Sequence, residues 1–216
     1  MSFDKIRCNK LPYRFGTGDK KWPVVEGFKN VNVCSSGQGI WKQLSPMKLG
    51  SITFDEYYPD GSIVEKTATN LENLWQSAKV WPGEEDEKTG FPTPEWYARR
   101  DKICQDVKGH RHIKKGTGPN PNVPLYSWWQ GQKLNYDEAR RTIYIPLYMK
   151  LVQQTLAWHK LKTMVDTGEK IQILGYDGRN YEDLEAELED LTKPFGHELV
   201  LCGMLTNMSH LFIPQK

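Results

Sequence analysis

Apolar residues recur at Leu71, Leu74, Trp75 and Ala78 with polar residues between them. That spacing predicts a helix over residues 70–81 with one buried stripe. Asn70 suits its N-cap, and Pro82 and Gly83 stop it. A second helix is expected from Thr93 to about Val107, because Thr93-Pro94 supplies a cap followed by proline at the first helical position. The longest periodic stretch opens on a capping box, Asn135-Tyr-Asp-Glu138, and ends at Gly168. Ile143, Leu147, Leu151, Trp158, Leu161 and Val165 keep its stripe, with Gln154 the polar break. Pro146 lies inside and is expected to kink or split the helix near Tyr144, since its ring displaces the preceding turn and removes a donor. Shorter helices are expected over residues 181–192, with an acidic exterior, and from Pro194 to about Thr206, carrying a core run from Leu199 to Leu205.

Strands are fewer. Ser51–Phe54 and Ser62–Lys66 flank Tyr58-Pro-Asp-Gly61, a turn signal that predicts a hairpin. Val31–Val33 begins a short strand, and Ile171–Leu174 reads as a short strand or extended piece. Residues 1–30 have no clear period and read as an N-terminal arm packed on a single domain, residues 31–216. The expected fold class is α+β, mainly α, with a small hairpin or sheet and several packed helices.

Composition narrows the function classes. The 216 residues carry a formal net charge of +2, so whole-chain electrostatics do not argue for a nucleic-acid binder. Cys8, Cys34, Cys104 and Cys202 lie far apart with no CxxC pair, which disfavours a zinc site or a disulfide framework and suits a reducing cytosol. No apolar run reaches the roughly 18 residues of a membrane span, and no signal-peptide core opens the chain. A cytoplasmic protein with no membrane partner is expected.

Candidate chemistry begins on the first helix. Glu72, Gln76 and Lys79 fall about one turn apart, a row that fits either a polar ligand or a solvated helix face. Cys34-Ser-Ser-Gly-Gln-Gly39 can wrap an anion or form a plain turn; it lacks the Lys-Ser/Thr ending of a P-loop. Residues 108–122 are basic and rich in breakers, and fit phosphate contact or a solvated loop. Trp128 and Trp129 fit stacking on a flat ring or core packing. Arg140 and Arg141 sit near the expected kink. A buried arginine there needs an anion from the protein or from a ligand.

Leu71-Glu-Asn-Leu-Trp-Gln-Ser-Ala-Lys-Val80 resembles the Glu-x-x-x-Gln-x-x-Lys helix of the NADAR/YbiA-like superfamily, mostly helical proteins that include N-glycosidases. Ala139-Arg140 through Tyr148 resembles that family's arginine-containing helix, and Gln172–Asp177 its aspartate segment. The family's Ser-Asn-Phe is Ser45-Pro46-Met47 here, as in a divergent, phage-type member. The resemblance implies a YbiA-like fold and a hydrolase cleaving the N-glycosidic bond of a ribosylated base or ADP-ribose-type adduct. Its substrate would be a small nucleotide or an ADP-ribosylated nucleic acid, with no cofactor and no metal. It implies Glu72 and Asp177 as catalytic residues, with Gln76, Lys79, Arg140, Tyr144 and Arg99 (or Arg100 in its place) as substrate-binding residues and Trp128 or Trp129 stacking on the base. The competing classes are a non-catalytic nucleotide, ADP-ribose or single-stranded nucleic-acid binder, and a structural or host-interaction protein. In the last of these the Glu72 row would stand in solvent.

Overall fold

The computed structural model describes residues 5–11, 25–111 and 123–213. In chain order the elements are β1 (Ile6–Lys10), β2 (Phe28–Asn32), β3 (Ile52–Tyr57), β4 (Ile63–Ala68), α1 (Leu71–Ser77), β5 (Lys79–Val80) and α2 (Pro94–Gln105). Then follow β6 (Tyr126–Trp129), β7 (Gln132–Leu134), α3 (Tyr136–Ala139), a π-helical turn (Arg140–Tyr144), α4 (Ile145–Val152), α5 (Leu156–Asp166), β8 (Lys170–Gly175), α6 (Leu184–Glu189) and α7 (His197–Leu205). The fold is α+β, mainly α. It divides into two compact units: Pro46–Leu147 forms one, and the segments up to Ser45 and from Tyr148 onward form the other. Among the described residues no helix is long and apolar enough to cross a membrane.

The unit of the two chain ends is built on a parallel sheet in the order β1-β8-β2. Its centre, β8, is buried over Ile171–Gly175, as a strand flanked on both edges requires. Gln172 interrupts the apolar run, and its amide is held across the sheet. It accepts from Asn9 Nδ2 at 2.6 Å and donates to Asn30 Oδ1 at 2.7 Å. Such an amide ladder satisfies polar atoms that burial would otherwise strand. Residues 6–10, expected within a loop-like arm, are therefore an edge strand. Parallel partners come from distant sequence, so no local turn signal announces them. Helix α7 is buried around almost its whole circumference and packs on β1 and β8.

In the unit Pro46–Leu147, β3 and β4 pair antiparallel around the expected turn, and β5, β6 and β7 form a second small sheet. Asn70, Thr93 and Asn135 each cap the helix that follows, the last through a complete capping box. Two expectations are corrected. The first helix ends at Ser77, and Lys79 begins β5 opposite Ser127. The Lys79 carbonyl accepts from Trp96 Nε1 at 2.9 Å and Arg99 Nη2 at 3.0 Å, so tertiary partners take a group that would have continued the helix. The 135–165 helix is split. Pro146 sits just beyond the π-helical turn, where Ile145 N–H reaches back to Arg140 O, and the wider turn accommodates the missing donor. A second break precedes Thr155, whose side chain caps α5.

Candidate functional site

Three side chains of the expected site join into one hydrogen-bonded row. Glu72 lies in the first turn of α1, where the dipole favours a carboxylate. Gln76 Nε2 donates to Glu72 Oε1 at 3.0 Å, and Lys79 Nζ donates to Gln76 Oε1 at 2.7 Å. The amide thus uses both ends and links an acid to a base. All three residues are half-buried, so the row does not stand in bulk solvent. Burial lowers the Lys79 pKa to about 8 against the opposing pull of Glu72, and Nζ lies 5.2 Å from the centre of the Trp75 ring.

That depressed value has a measurable consequence. Between the folded pKa of about 8 and the ordinary 10.5, the unfolded chain binds more protons at this lysine than the folded chain does. Raising the pH through that window therefore stabilises the fold. In urea titrations, the stability of Lys79→Met minus that of the natural protein is expected to shrink by about 2 kcal/mol between pH 7 and pH 10. A pH-independent difference would mean that Lys79 titrates normally.

Trp75 connects the row to the Arg140 segment. Its ring lies 5.3 Å from that of Tyr144 and 6.4 Å from that of Tyr136. The Arg140 guanidinium, buried, lies 5.3 Å from the centre of the Tyr136 ring. Its Nε donates to Asp137 Oδ1 at 2.9 Å, so the protein itself supplies an anion; Arg141 Nε reaches the same oxygen at 3.0 Å. The sequence pattern gives no sign of a site role for Trp75, Tyr136 or Asp137, because Trp75 fits a core stripe and Tyr136 and Asp137 fall within a helix cap.

The other expected residues are placed elsewhere. Trp128 and Trp129 are 3% and 8% exposed, packed against Phe91 and Phe54, and offer no open ring face to a base. Arg99 is held by Glu84 in a two-pronged pair, Nε to Oε1 and Nη2 to Oε2, both at 2.9 Å. Asp177 belongs to the other unit, in the turn after β8, and its side chain is exposed. Most of the basic loop, residues 112–122, lies outside the described residues.

A second cluster lies in the unit of the chain ends. Cys34 follows β2, and His197 and Glu198 open α7. One ligand-type atom from each, including the buried Cys34 thiol, lies within 4.8 Å of the other two. Glu198 is 1% exposed, seated where a Cβ on Gly175 or on Gly196 would collide with its carboxylate. This unit also holds an open cleft of about 600 Å³ of mixed character, lined by Asn30, Asn32, Gln38, Ile40, Trp41 and Lys160 among others.

The family model described as "Family of unknown function (DUF6939)" matches residues 19–201. The chain belongs to that family. No curated protein and no solved structure matches the chain. The stretch matched to DUF6939 contains the whole Glu72–Lys79 row, Arg140, Tyr144, and all of Cys34, His197 and Glu198; β1 lies before it. Both clusters are thus carried by the DUF6939 portion of the chain.

Proposed function

We propose that this DUF6939 protein is a hydrolase of N-glycosidic bonds, acting on a ribosylated base or ADP-ribose-type adduct at the Glu72–Gln76–Lys79 row. The observation that carries the reading is a carboxylate and a lysine of depressed pKa fixed on the two ends of one glutamine amide in a half-buried setting. A lysine whose pKa burial depresses, held to a carboxylate through a shared partner, is the kind of arrangement found at catalytic sites. The resemblance of residues 71–80 to the helix of the NADAR superfamily gives the bond class.

Cleavage of a ribose–base C–N bond develops positive charge on the sugar ring. Glu72 would stabilise that charge and take a proton from the attacking water, whose oxygen bonds to the anomeric carbon. The proton that Glu72 takes from the water passes on to the departing base nitrogen, so one water is consumed and one free base released. Lys79 as the ammonium would hold a phosphate or ribose oxygen, while Arg140, buried and paired with Asp137, would hold the Tyr136 ring beside Trp75 rather than touch the substrate. This reading needs neither Asp177 nor stacking on Trp128 or Trp129. With both tryptophans buried, the aromatic support for a single-stranded nucleic-acid groove is gone.

The test is to incubate the purified chain with an ADP-ribosylated nucleobase adduct and follow free base by chromatography. Base release by the natural protein is expected. Binding of ADP-ribose without release would make it a binding module instead.

A further inference from the structure

The Cys34–His197–Glu198 cluster presents a hydrogen-bonding problem that a cation resolves. His197 Nε2 lies 3.0 Å from the Val33 carbonyl. A carbonyl only accepts, so Nε2 carries the proton and donates. The remaining ring nitrogen, Nδ1, faces Glu198 Oε2 at 3.3 Å. Yet Oε2, although buried, accepts no hydrogen bond among the described residues. Nδ1 and Oε2 thus face one another without a hydrogen bond between them, with the Cys34 sulfur beside them. A backbone carbonyl fixing one imidazole nitrogen while the other binds a metal is how histidine ligands are commonly oriented.

We propose that Cys34, His197 and Glu198 bind a divalent transition-metal ion of the zinc class. Thiolate and imidazole donors exclude the hard, oxygen-seeking cations. In a tetrahedral zinc site, ligand atoms lie roughly 3.3–3.8 Å apart, so the cluster needs only a small contraction from its present spread. Three protein ligands leave a fourth position for water or substrate, the pattern of catalytic rather than closed structural zinc sites. The cluster also sits where parallel sheets place their ligands, past the carboxyl ends of the strands. Cys34 follows β2, and Glu198 is packed on Gly175, the last residue of β8. Asn32, itself buried, connects the site to the cleft: its Oδ1 accepts from Cys34 N at 2.9 Å while the residue contributes to the cleft wall. A triad with Cys34 as nucleophile fits less well, because Val33 occupies the histidine nitrogen that would serve the sulfur. Cys8 and Cys202 hydrogen-bond each other, and burial together with that bond pushes the Cys8 thiol up, which suits an inert pair. This site is independent of the glycosidase reading.

The full chain, freed of metal by chelation, is titrated with Co²⁺ and then Zn²⁺. One Co²⁺ per chain with a thiolate-to-metal charge-transfer band is expected, displaced by Zn²⁺. Cys34→Ser removes the band, Glu198→Gln weakens affinity at least about tenfold, and Cys104→Ser leaves both unchanged. X-ray absorption of the zinc-loaded natural protein reads one sulfur per metal, which decides the matter even if a variant fails to fold. Absence of the band, its survival in Cys34→Ser, or a sulfur count of zero or above one overturns the site.

Discussion

Glu72→Gln is expected to lower base release by about 10²–10⁴-fold, the usual contribution of a positioned general base. That corresponds to about 3–5 kcal/mol of transition-state stabilisation. The fold should hardly notice. Glutamine keeps the shape and still offers a carbonyl oxygen to Gln76 Nε2, and the site is only half-buried. The unfolding free energy is expected to change by less than about 0.5–1 kcal/mol. Loss of rate with an intact urea midpoint separates chemistry from folding. Unchanged turnover would remove Glu72 from the mechanism.

A second large effect concerns folding alone. Arg100 on α2 and Glu56 on β3 form an ion pair with side chains 1% and 2% exposed. The guanidinium lies 4.8 Å from the centre of the Phe54 ring and 5.2 Å from that of Trp96. Its Nε bonds Glu56 Oε2, while both Nη atoms and Glu56 Oε1 are buried with no hydrogen-bond partner among the described residues. Desolvation raises the Glu56 pKa even against the attraction of Arg100. Such a pair gives little net stability but is costly to halve, because the surviving charge is stranded. Arg100→Ala is therefore expected to cost about 3–5 kcal/mol in urea unfolding. Replacing both members, Glu56→Leu with Arg100→Met, should recover most of that loss. A single-variant cost below about 1 kcal/mol would mean that water reaches the pair.

What could be read from the sequence was local. The caps at Asn70, Thr93 and Asn135 and the turn at Tyr58–Gly61 act through neighbouring residues, so their structures follow from spacing alone. Gln76 reached Glu72 as its position one turn on predicts. Lys79 reached Gln76 too, but from a strand, because its backbone conformation depends on pairing with Ser127, a distant segment. The stacking role assigned to Trp128 and Trp129 failed for a related reason. Composition cannot tell an aromatic that lines a pocket from one that fills a core, and Phe91 and Phe54 settle which it is. Cysteine spacing gave no metal signal, since Cys34 meets His197 and Glu198 only through the parallel sheet and α7, from opposite ends of the chain. The edge strand β1 was hidden in the same way.

The most direct test of the Glu72 row is the crystal structure of Glu72→Gln soaked with ADP-ribose, the substitution preventing turnover. Density is expected along the row, with the ribose against residue 72 and a phosphate oxygen within hydrogen-bonding distance of Lys79 Nζ. ADP-ribose ordered only elsewhere on the chain, with the row unchanged, would contradict a glycosidase centred there.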